Sequence, residues 1–358
     1  MGSVKKQTAE KIYEQELEIA TAAIDLHYSL HPELEDCYGK GGREKCREEA
    51  QVHLRNLAES ILASSQTLFK NHVAWSLETL VSHNIPARNL AICLNCIKQI
   101  LAQRLPIENY VIAAKYMNSA LLQLEGQAVS QASYLQGDTS FSKLAAGYLE
   151  RLLKGEQAAA SQLILDKVNS GIGVKDIYMH VLQPVQYEIG RRWQQGKLTI
   201  AQEHYCTATT QLIMSQLHAH IFSTEKNGYK LLATCIAEEL HEVGVRMVAD
   251  FFEMEGWETY YLGANTPINS ILDTLHTQQP HLLLVSATMA CHVHIVTELI
   301  TAIRADQRLK DLKIMVGGNP FNTDPELWKE TGADTFAKDA VSALETAMDM
   351  QTPYAKSA

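Results

Sequence analysis

The chain has 358 residues, of which 46% are hydrophobic and 20% charged, and its formal net charge is −10. This composition is typical of a soluble protein with two or three domains. The acidic balance argues against direct binding to nucleic acid, which requires clustered Lys and Arg. There is no apolar run long enough to cross a bilayer and no signal-peptide pattern, and the seven cysteines do not form a disulfide framework. We therefore expect a cytoplasmic protein with no direct membrane or nucleic-acid partner.

Residues 1–125 have helical periodicity and few strand signals, which predicts an all-helical N-terminal domain. The predicted helices span 7–30, 43–63, 66–83, 87–103 and 107–125. Residues 126–141 are rich in Gly, Ser and Gln and lack periodicity, so we interpret them as a linker.

Residues 142–225 resume the helical pattern in four shorter segments. The segments are separated by Gly155, by the pair Gly171 and Gly173, and by Gly196. Short connections between antiparallel apolar helices are typical of a four-helix bundle. We therefore predict a four-helix-bundle cap in this part of the chain.

Over residues 226–358 the hydrophobic period changes to that of a strand–helix alternation. Five short apolar runs alternate with helical stretches, and they read YKLLATCI, ETYYLG, HLLLVSAT, LKIMVGG and DTFAK. This pattern predicts a doubly wound parallel sheet with helices on both faces. Ligands of such sheets bind at the carboxyl ends of the strands, so the loops after the strands are the place to look for a site.

The loop after the first predicted strand contains a candidate metal ligand, His241, two residues after Glu239 and three before Gly244. Imidazole is a good ligand for cobalt, and a carboxylate two positions away can hold the far ring nitrogen. Gly244 would let a bulky group approach the start of the next helix. Taken alone, the pattern E-x-H-x-x-G is also compatible with an ordinary exposed loop histidine.

The downstream spacing favours the ligand interpretation. Forty-one residues separate Gly244 from Ser286, and twenty-eight separate Thr288 from the pair Gly317-Gly318. With this spacing, residues 228–350 resemble the cobalamin-binding domain of methionine synthase, mutases and their relatives. The resemblance implies that His241 replaces the nucleotide base as the lower axial ligand of cobalt, and that Ser286 and the paired glycines line a channel for the displaced nucleotide tail.

The same resemblance adds neighbouring positions to the implied cofactor-binding set, namely Val243, Thr288 and Asn319. Two residues depart from the family pattern, because Glu239 stands where Asp is commoner and Thr288 where Leu is commoner. The first departure keeps the carboxylate with a longer reach, and the second is expected to alter packing around the tail.

The cap contains a second pattern, in which Trp193 is followed after nine residues by Glu203 and His204. Taken alone, it also fits a core tryptophan with two surface residues. Beside the cobalamin-binding pattern, it resembles the cap of CarH-type photoreceptors. The resemblance implies that the ligand is adenosylcobalamin, that Trp193 covers the adenosyl group, that Glu203 and His204 border it, and that light expels it and moves the cap.

One residue departs from that family. Gln194 stands where CarH-type proteins have the histidine that occupies the vacated cobalt face in the light. Bis-histidine ligation through this position is therefore excluded. The light-state ligand is left open, and the candidates are His204, His180, another cap histidine and water.

The stretch LFKNHVAWSLETLVSHNIPARNLAICLNCIKQIL in the N-terminal domain resembles globin-type sensor modules. Light sensors called photocobilins join such a domain to a cobalamin domain and hold biliverdin beside the corrin. A bilin pocket and a plain dimerisation or partner-binding module are the two interpretations for this domain. The candidate pocket residues, which are equally compatible with a helical core, are His72, Trp75, Tyr110 and Tyr116. Four cysteines fit either a zinc site or buried helix positions, and they are Cys37, Cys46, Cys93 and Cys96.

The resulting hypothesis is an adenosylcobalamin-dependent light sensor that acts through homo-oligomer assembly or a protein partner. It is not expected to be an enzyme, because the sequence has no P-loop, G-x-S-x-G or H-E-x-x-H motif. Two alternatives remain at this point: a corrinoid methyl carrier of a methyltransferase system, and a light-independent cobalamin sensor.

Overall fold

The computed structural model describes residues 2–35, 39–83, 85–124, 132–221 and 225–351. The N-terminal part is helical, as the periodicity predicted. The described residues of this part form six long helices, which are α1 (Gly2–Glu14), α2 (Glu16–Leu30), α3 (Gly42–Leu62), α4 (Gln66–Ser82), α5 (Ala87–Arg104) and α6 (Ile107–Leu124). Their apolar faces form one core that includes Ile12, Ile24, Leu54, Leu57, Phe69 and Leu94.

The single helix predicted over residues 7–30 is wrong. Gln15 leaves the helical conformation (φ −111°, ψ 10°) and separates α1 from α2. Ile12 and Ile19, both with no exposed area, therefore reach the same core from two separate helices. The break also places Glu16 in the first turn of α2, where its negative charge interacts favourably with the helix dipole. Arg55 of α3 forms an ion pair with Glu16 at 2.8 Å.

The cap forms four helical stretches, as predicted. The first two stretches are α7 (Ser140–Leu153) and α8 (Gln157–Asn169). The third is continuous and consists of α9 (Val174–Ile177), a π-helical turn (Tyr178–Leu182) and α10 (Gln183–Gln194). The fourth is α11 (Ile200–Gln216), which ends in a 3₁₀ turn (Leu217–His220). The π-helical turn precedes Pro184, which has no N–H for the ordinary helical bond.

The cap begins slightly earlier than the predicted linker allows. Thr139 forms a capping box with Ser142, so α7 starts at Ser140. Residues 132–139 are irregular, and residues 126–131 of the predicted linker lie outside the described part of the chain.

The C-terminal part contains a five-stranded parallel sheet with strand order β2-β1-β3-β4-β5. The strands are β1 (Lys230–Ile236), β2 (Glu258–Thr266), β3 (Leu282–Ser286), β4 (Lys313–Gly317) and β5 (Thr335–Ala337). The helices are α12 (Val243–Met254), α13 (Ile268–Gln278), α14 (Val293–Ala305), α15 (Asn319–Thr323), α16 (Leu327–Thr331) and α17 (Ala340–Gln351). Strands β1 and β3 are almost fully buried, as expected for strands covered on both faces. The predicted fold class is confirmed.

Helix α12 joins the cap to the sheet. Met247 and Phe251 of α12 belong to the same apolar core as the cap helices. The hydroxyl of Tyr178, in the π-helical turn, donates a hydrogen bond of 2.7 Å to the Asp250 carboxylate. The cap is therefore fixed to the sheet domain by both apolar packing and a buried polar contact.

The chain divides into two compact units. One comprises Met1–Val129 with two later segments, Ala287–Thr301 and Asn319–Ala333; the other comprises Ser130–Ser286, Ala302–Gly318 and Asp334–Ala358. The second unit thus contains the cap and the whole sheet. Two segments of the α/β fold pack with the N-terminal helices, which the sequence did not indicate. Among the described residues, no helix is long and apolar enough to span a bilayer.

Candidate functional site

The loop after β1 presents His241 to solvent, with 59% of its side chain exposed. Its Nδ1 lies 2.5 Å from Oε1 of Glu239, and the same carboxylate oxygen accepts the His241 backbone N–H at 3.0 Å. Glu239 has no exposed area. A carboxylate that holds Nδ1–H fixes the tautomer in which the opposite nitrogen, Nε2, has a lone pair for a metal.

The loop is fastened to the end of β2. Asn265 accepts a hydrogen bond from the Glu238 backbone N–H at 2.8 Å, and its own N–H donates to the Glu239 carbonyl at 2.9 Å. Glu238 and Asn265 both have positive φ, 68° and 51°, a conformation that non-glycine residues adopt rarely. The strained backbone and the cross-strand bonds hold Glu239 and His241 in a defined position.

Glu242, which the sequence analysis missed, connects this loop to the cap. One carboxylate oxygen accepts from Gln211 of α11 at 2.7 Å, and the other accepts from the Tyr261 hydroxyl at 2.9 Å and the Ala264 N–H at 3.0 Å. Burial and the bond to Glu242 raise the pKa of Tyr261, so this hydroxyl stays a donor. The sequence signal for Glu242 was its position directly after the candidate ligand His241. Its partner Gln211 on α11 lies 31 positions earlier in the chain, so this contact has no local pattern.

The strand ends bring two of the predicted residues, Ser286 and Gly317, into one row. Cys235 pairs with Ser286, Ser286 with Gly317, and Gly317 with Ala337, across β1, β3, β4 and β5. This row lies at the carboxyl ends, and the order 2-1-3-4-5 has its topological switch point between β1 and β3, where ligands of such sheets bind.

The two glycines at the end of β4, Gly317 in the strand and Gly318 directly after it, have separate structural requirements. A Cβ on Gly317 would lie 3.2 Å from the Ala337 carbonyl oxygen, closer than most real contacts. Gly318 has φ +105°, a conformation that strains any residue with a side chain. Both features are local to β4 and β5, so the sheet by itself disfavours a side chain at these two positions.

The start of α12 is open. A Cβ added to Gly244 would meet no heavy atom within 4 Å, so the space next to this residue is open. Val243, the first residue of α12, is half-buried and packs on the cap core. Thr288 and Asn319 belong to the other compact unit, not to the one that contains His241.

The cap pattern lies on α10 and α11. Trp193 is 40% exposed near the end of α10, and Glu203 and His204 lie in the first turn of α11. Glu203 binds His204 Nδ1 at 2.7 Å and accepts the Thr207 hydroxyl at 2.8 Å. The Thr207 hydroxyl also lies 3.2 Å from Gln186 Oε1 of α10, so the two helices are linked at the level of Glu203.

The alternative upper-ligand histidines have different environments. His180 in the π-helical turn packs against Phe141, with ring centroids 4.9 Å apart. His204 has 71% of its side chain exposed. Gln194, which stands where the resemblance to CarH-type proteins implies a histidine, is largely buried.

The N-terminal candidate residues differ in their environments. His72 Nε2 lies 2.9 Å from Nδ1 of the buried His53, Tyr116 is buried, Tyr110 is half-buried, and Trp75 is 43% exposed. Burial lowers the pKa of both histidines, which favours the neutral rings.

The thiols of this domain fit buried helix positions. Cys46 and Cys96 are buried, and burial raises the pKa of Cys93. Over the part of the chain that the structure describes, which omits Cys37, no group of three or more His, Cys, Asp or Glu side chains is placed to hold a metal ion.

Three family models match the chain. Two are described as B12 binding domain and match residues 144–218 and 229–347. The third is described as Phycobilisome protein and matches residues 2–124. The two B12 matches cover the cap and the sheet that carries His241, Ser286 and Gly317. The chain is therefore a cobalamin-binding protein.

Individual relatives are more distant. A trimethylamine corrinoid protein of Methanosarcina barkeri is 25% identical over 177 residues, which cover 46% of this chain and 77% of that protein. The HTH-type transcriptional repressor CarH of Myxococcus xanthus is 27% identical over 157 residues, which cover 43% of this chain and 51% of the repressor. The solved monomethylamine corrinoid protein of M. barkeri aligns with a TM-score of 0.53 at 19% identity, covering 59% of this chain and 100% of that one. This last likeness concerns the fold of the cap and the sheet.

Proposed function

We propose that the protein is an adenosylcobalamin-dependent light sensor without catalytic activity, whose cap changes its packing when light splits the cobalt–carbon bond of the bound cofactor. The change in the cap then alters assembly between copies of the chain, or binding to a protein partner. The observation that carries the proposal is the pair of His241 and Glu239, which lies at the switch point of the sheet with His241 Nδ1 held by the buried carboxylate.

The cap supports the choice of an adenosyl ligand. Trp193 supplies a partly exposed aromatic surface, and Glu203 supplies a carboxylate whose orientation is held by Thr207. An aromatic face suits a stacked purine, and a fixed carboxylate suits ribose hydroxyls. The likeness to the repressor CarH agrees with this interpretation.

The test is an absorption spectrum of the protein reconstituted with adenosylcobalamin or methylcobalamin, recorded before and after green light. We expect a light-induced spectral change and a change in size by gel filtration with the adenosyl form. Trp193→Ala should abolish the preference for adenosylcobalamin, whereas Tyr205→Ala, in the same cap but outside the Trp–Glu–His pattern, should not. A stable spectrum in the light, or unchanged size together with unchanged partner binding, contradicts the proposal.

A second candidate is a methyl carrier, because several relatives carry the name of a corrinoid protein for a methylamine. A carrier must expose the upper face of its cofactor to a methyltransferase. It would therefore prefer methylcobalamin, or bind both forms alike, and lose little on Trp193→Ala. A cobalamin sensor that does not respond to light would instead change its assembly on binding the cofactor in darkness.

We further propose that the N-terminal helices hold a linear tetrapyrrole such as biliverdin. The match to the Phycobilisome protein model supports this, as does a groove of about 490 Å³ lined by Leu121 and other apolar side chains, with Arg88 and Lys98 to receive carboxylates. A red absorption band that survives desalting after mixing with biliverdin is the expected result. No band, with concentration-dependent dimerisation, would favour the alternative of a plain interaction module.

A further inference from the structure

The cap contains a chain of side-chain hydrogen bonds that ends on Glu203. It begins at the Tyr148 hydroxyl of α7, which lies 2.8 Å from the Thr210 hydroxyl of α11. Thr210 Oγ1 lies 2.7 Å from one end of the Gln186 side-chain amide on α10. The other end of that amide lies 3.2 Å from the Thr207 hydroxyl, which is 2.8 Å from Glu203 Oε1. Tyr148 and Thr210 have no exposed area, so the chain leads from the core of the cap to the partly exposed first turn of α11.

The protons in this chain are too few for one orientation of the Gln186 amide. The Thr207 hydroxyl has a single proton but faces two oxygen atoms, Gln186 Oε1 and Glu203 Oε1. An amide oxygen and an ionised carboxylate are both acceptors only. With the amide oxygen towards Thr207, one of the two contacts therefore has no proton between its oxygen atoms.

A half-turn of the Gln186 amide removes this conflict. The amide NH2 group then donates to Thr207, and the Thr207 proton is free for Glu203. The amide oxygen accepts the Thr210 proton, which otherwise points to the Cys206 carbonyl of the same helix. Every hydroxyl and amide group in the chain then donates in one direction, towards the carboxylate of Glu203.

Gln186 also shares a helix face with Trp193. Gln186, Gly190 and Trp193 are spaced by four and three residues, so they lie on one side of α10. A Cβ on Gly190 would meet no heavy atom within 4 Å, so the space next to this residue is open. The amide that orients Thr207 and the partly exposed indole therefore belong to the same face of the same helix.

We propose that Gln186 is a positioning residue for Glu203 and a determinant of selectivity for the adenosyl group. Its NH2 group points to Thr207 and commits the single Thr207 proton to Glu203, which holds the carboxylate in one orientation. The selectivity rests on the proposed function, in which Glu203 binds the ribose hydroxyls, whereas the orientation of the amide is a property of the protein alone. A methyl ligand has no hydroxyl group, so its binding should not depend on this chain.

The orientation is tested without cofactor by NMR, on deuterated protein with protonated threonine methyl groups. The side-chain NH2 signal of Gln186 is assigned by its loss in Gln186→Glu. We expect its nuclear Overhauser effect to be stronger to the Thr207 methyl group than to the Thr210 methyl group. The reverse order would place the amide oxygen at Thr207 and overturn the inference.

The selectivity is tested by equilibrium titration in darkness with adenosylcobalamin and with methylcobalamin. We expect Thr207→Val to weaken adenosylcobalamin binding about fivefold, the equivalent of one hydrogen bond, and to leave methylcobalamin binding unchanged. Gln186→Glu should have a similar effect, because a carboxylate only accepts and takes the Thr207 proton from Glu203. Thr207→Ser keeps the hydroxyl and should bind like the wild-type protein.

The control and the double variant separate this role from a structural one. Thr209→Val makes the same isosteric change at a buried position two residues further along α11, outside the chain, and should leave the preference intact. In the Thr207→Val background, Gln186→Glu should cause no further loss, because there is no proton left to redirect. A further loss would show plain charge repulsion, and equal weakening of both ligands would show an effect on the fold; each overturns the inference.

The remaining outcomes distinguish the inference from the proposed function. A wild-type protein that binds both cobalamins alike would overturn the adenosyl pocket of the proposed function, and the selectivity of Gln186 with it. A clear wild-type preference that survives both Gln186→Glu and Thr207→Val would overturn the inference and leave the proposed function in place. Thermal unfolding of the cofactor-free variants confirms that each of them is folded in these titrations.

Discussion

The carboxylate of Glu242 accepts a 2.7 Å hydrogen bond from Gln211, 31 positions earlier in the chain. The residue next to the candidate cobalt ligand is thereby tied to α11, the helix that begins with Glu203 and His204. This hydrogen bond joins α11 directly to the loop of His241.

Removal of Glu242 should loosen the cap. Glu242→Ala leaves the Tyr261 hydroxyl and the Ala264 N–H without their acceptor, so we expect a loss of about 2 kcal/mol in the free energy of unfolding. Amide hydrogen exchange in α11 should become faster. The control is Glu255→Ala, which removes the half-exposed pair with Lys175 between cap and α12 and should cost less than about 1 kcal/mol. Equal effects of the two variants would contradict the special role of Glu242.

Glu239 should set the affinity of His241 for cobalt. Glu239→Ala removes the acceptor of Nδ1–H, and we expect about tenfold weaker cobalamin binding in an equilibrium titration. His241→Ala should weaken binding further and change the spectrum of bound cobalamin, because the protein ligand is lost. Glu238→Ala, an exposed neighbour in the same loop, serves as the control. An unchanged spectrum in His241→Ala would refute the assignment of the axial ligand.

The contact between Tyr178 and Asp250 should stabilise the cap on the sheet domain. Tyr178→Phe leaves a carboxylate that is only 8% exposed without this donor, which should cost about 1.5 kcal/mol. Thermal unfolding followed by circular dichroism measures the loss. Tyr205→Phe, on the exposed side of the cap, should leave the transition unchanged. If Tyr178→Phe unfolds like the wild-type protein, the hydrogen bond contributes nothing net.

The cap should also contain an acid-sensitive element, Glu188. Burial opposes its ionisation, but hydrogen bonds from Arg191 and Arg192 outweigh this and lower its pKa from 4.5 to about 2. A lowered pKa in the folded state stabilises the protein above the unfolded pKa, and the contribution disappears as the pH falls from about 4.5 towards 2.

Glu188→Gln should therefore be about 3 kcal/mol less stable than the wild-type protein at pH 7 in denaturant unfolding, and this difference should shrink below pH 4.5. The exposed pair of Glu150 and Lys154 offers a control, since Glu150→Gln should change stability little at any pH. A difference that stays constant between pH 7 and pH 3 would show that the ionised carboxylate of Glu188 is not its source.

Patterns close together in the sequence determined much of this protein. The change from a helical to a strand period of the apolar residues marks the boundary between the cap and the sheet. This works because the period shows which face of a helix or strand is apolar and therefore buried. In a parallel sheet, alternating strands and helices put every strand end at one edge, so the spacing of His241, Ser286 and Gly317 was enough to predict that they share that edge.

Only the tertiary structure decided which distant groups meet. The partner of Glu242 on α11, the pairing of Glu59 with His294 and the break at Gln15 leave no periodic signal. The physical reason is that hydrophobic periodicity encodes burial of a face, whereas the partner of a buried polar group is chosen by packing between remote elements. The same reason explains why the association of the segments after β3 and β4 with the N-terminal helices could not be predicted from the sequence.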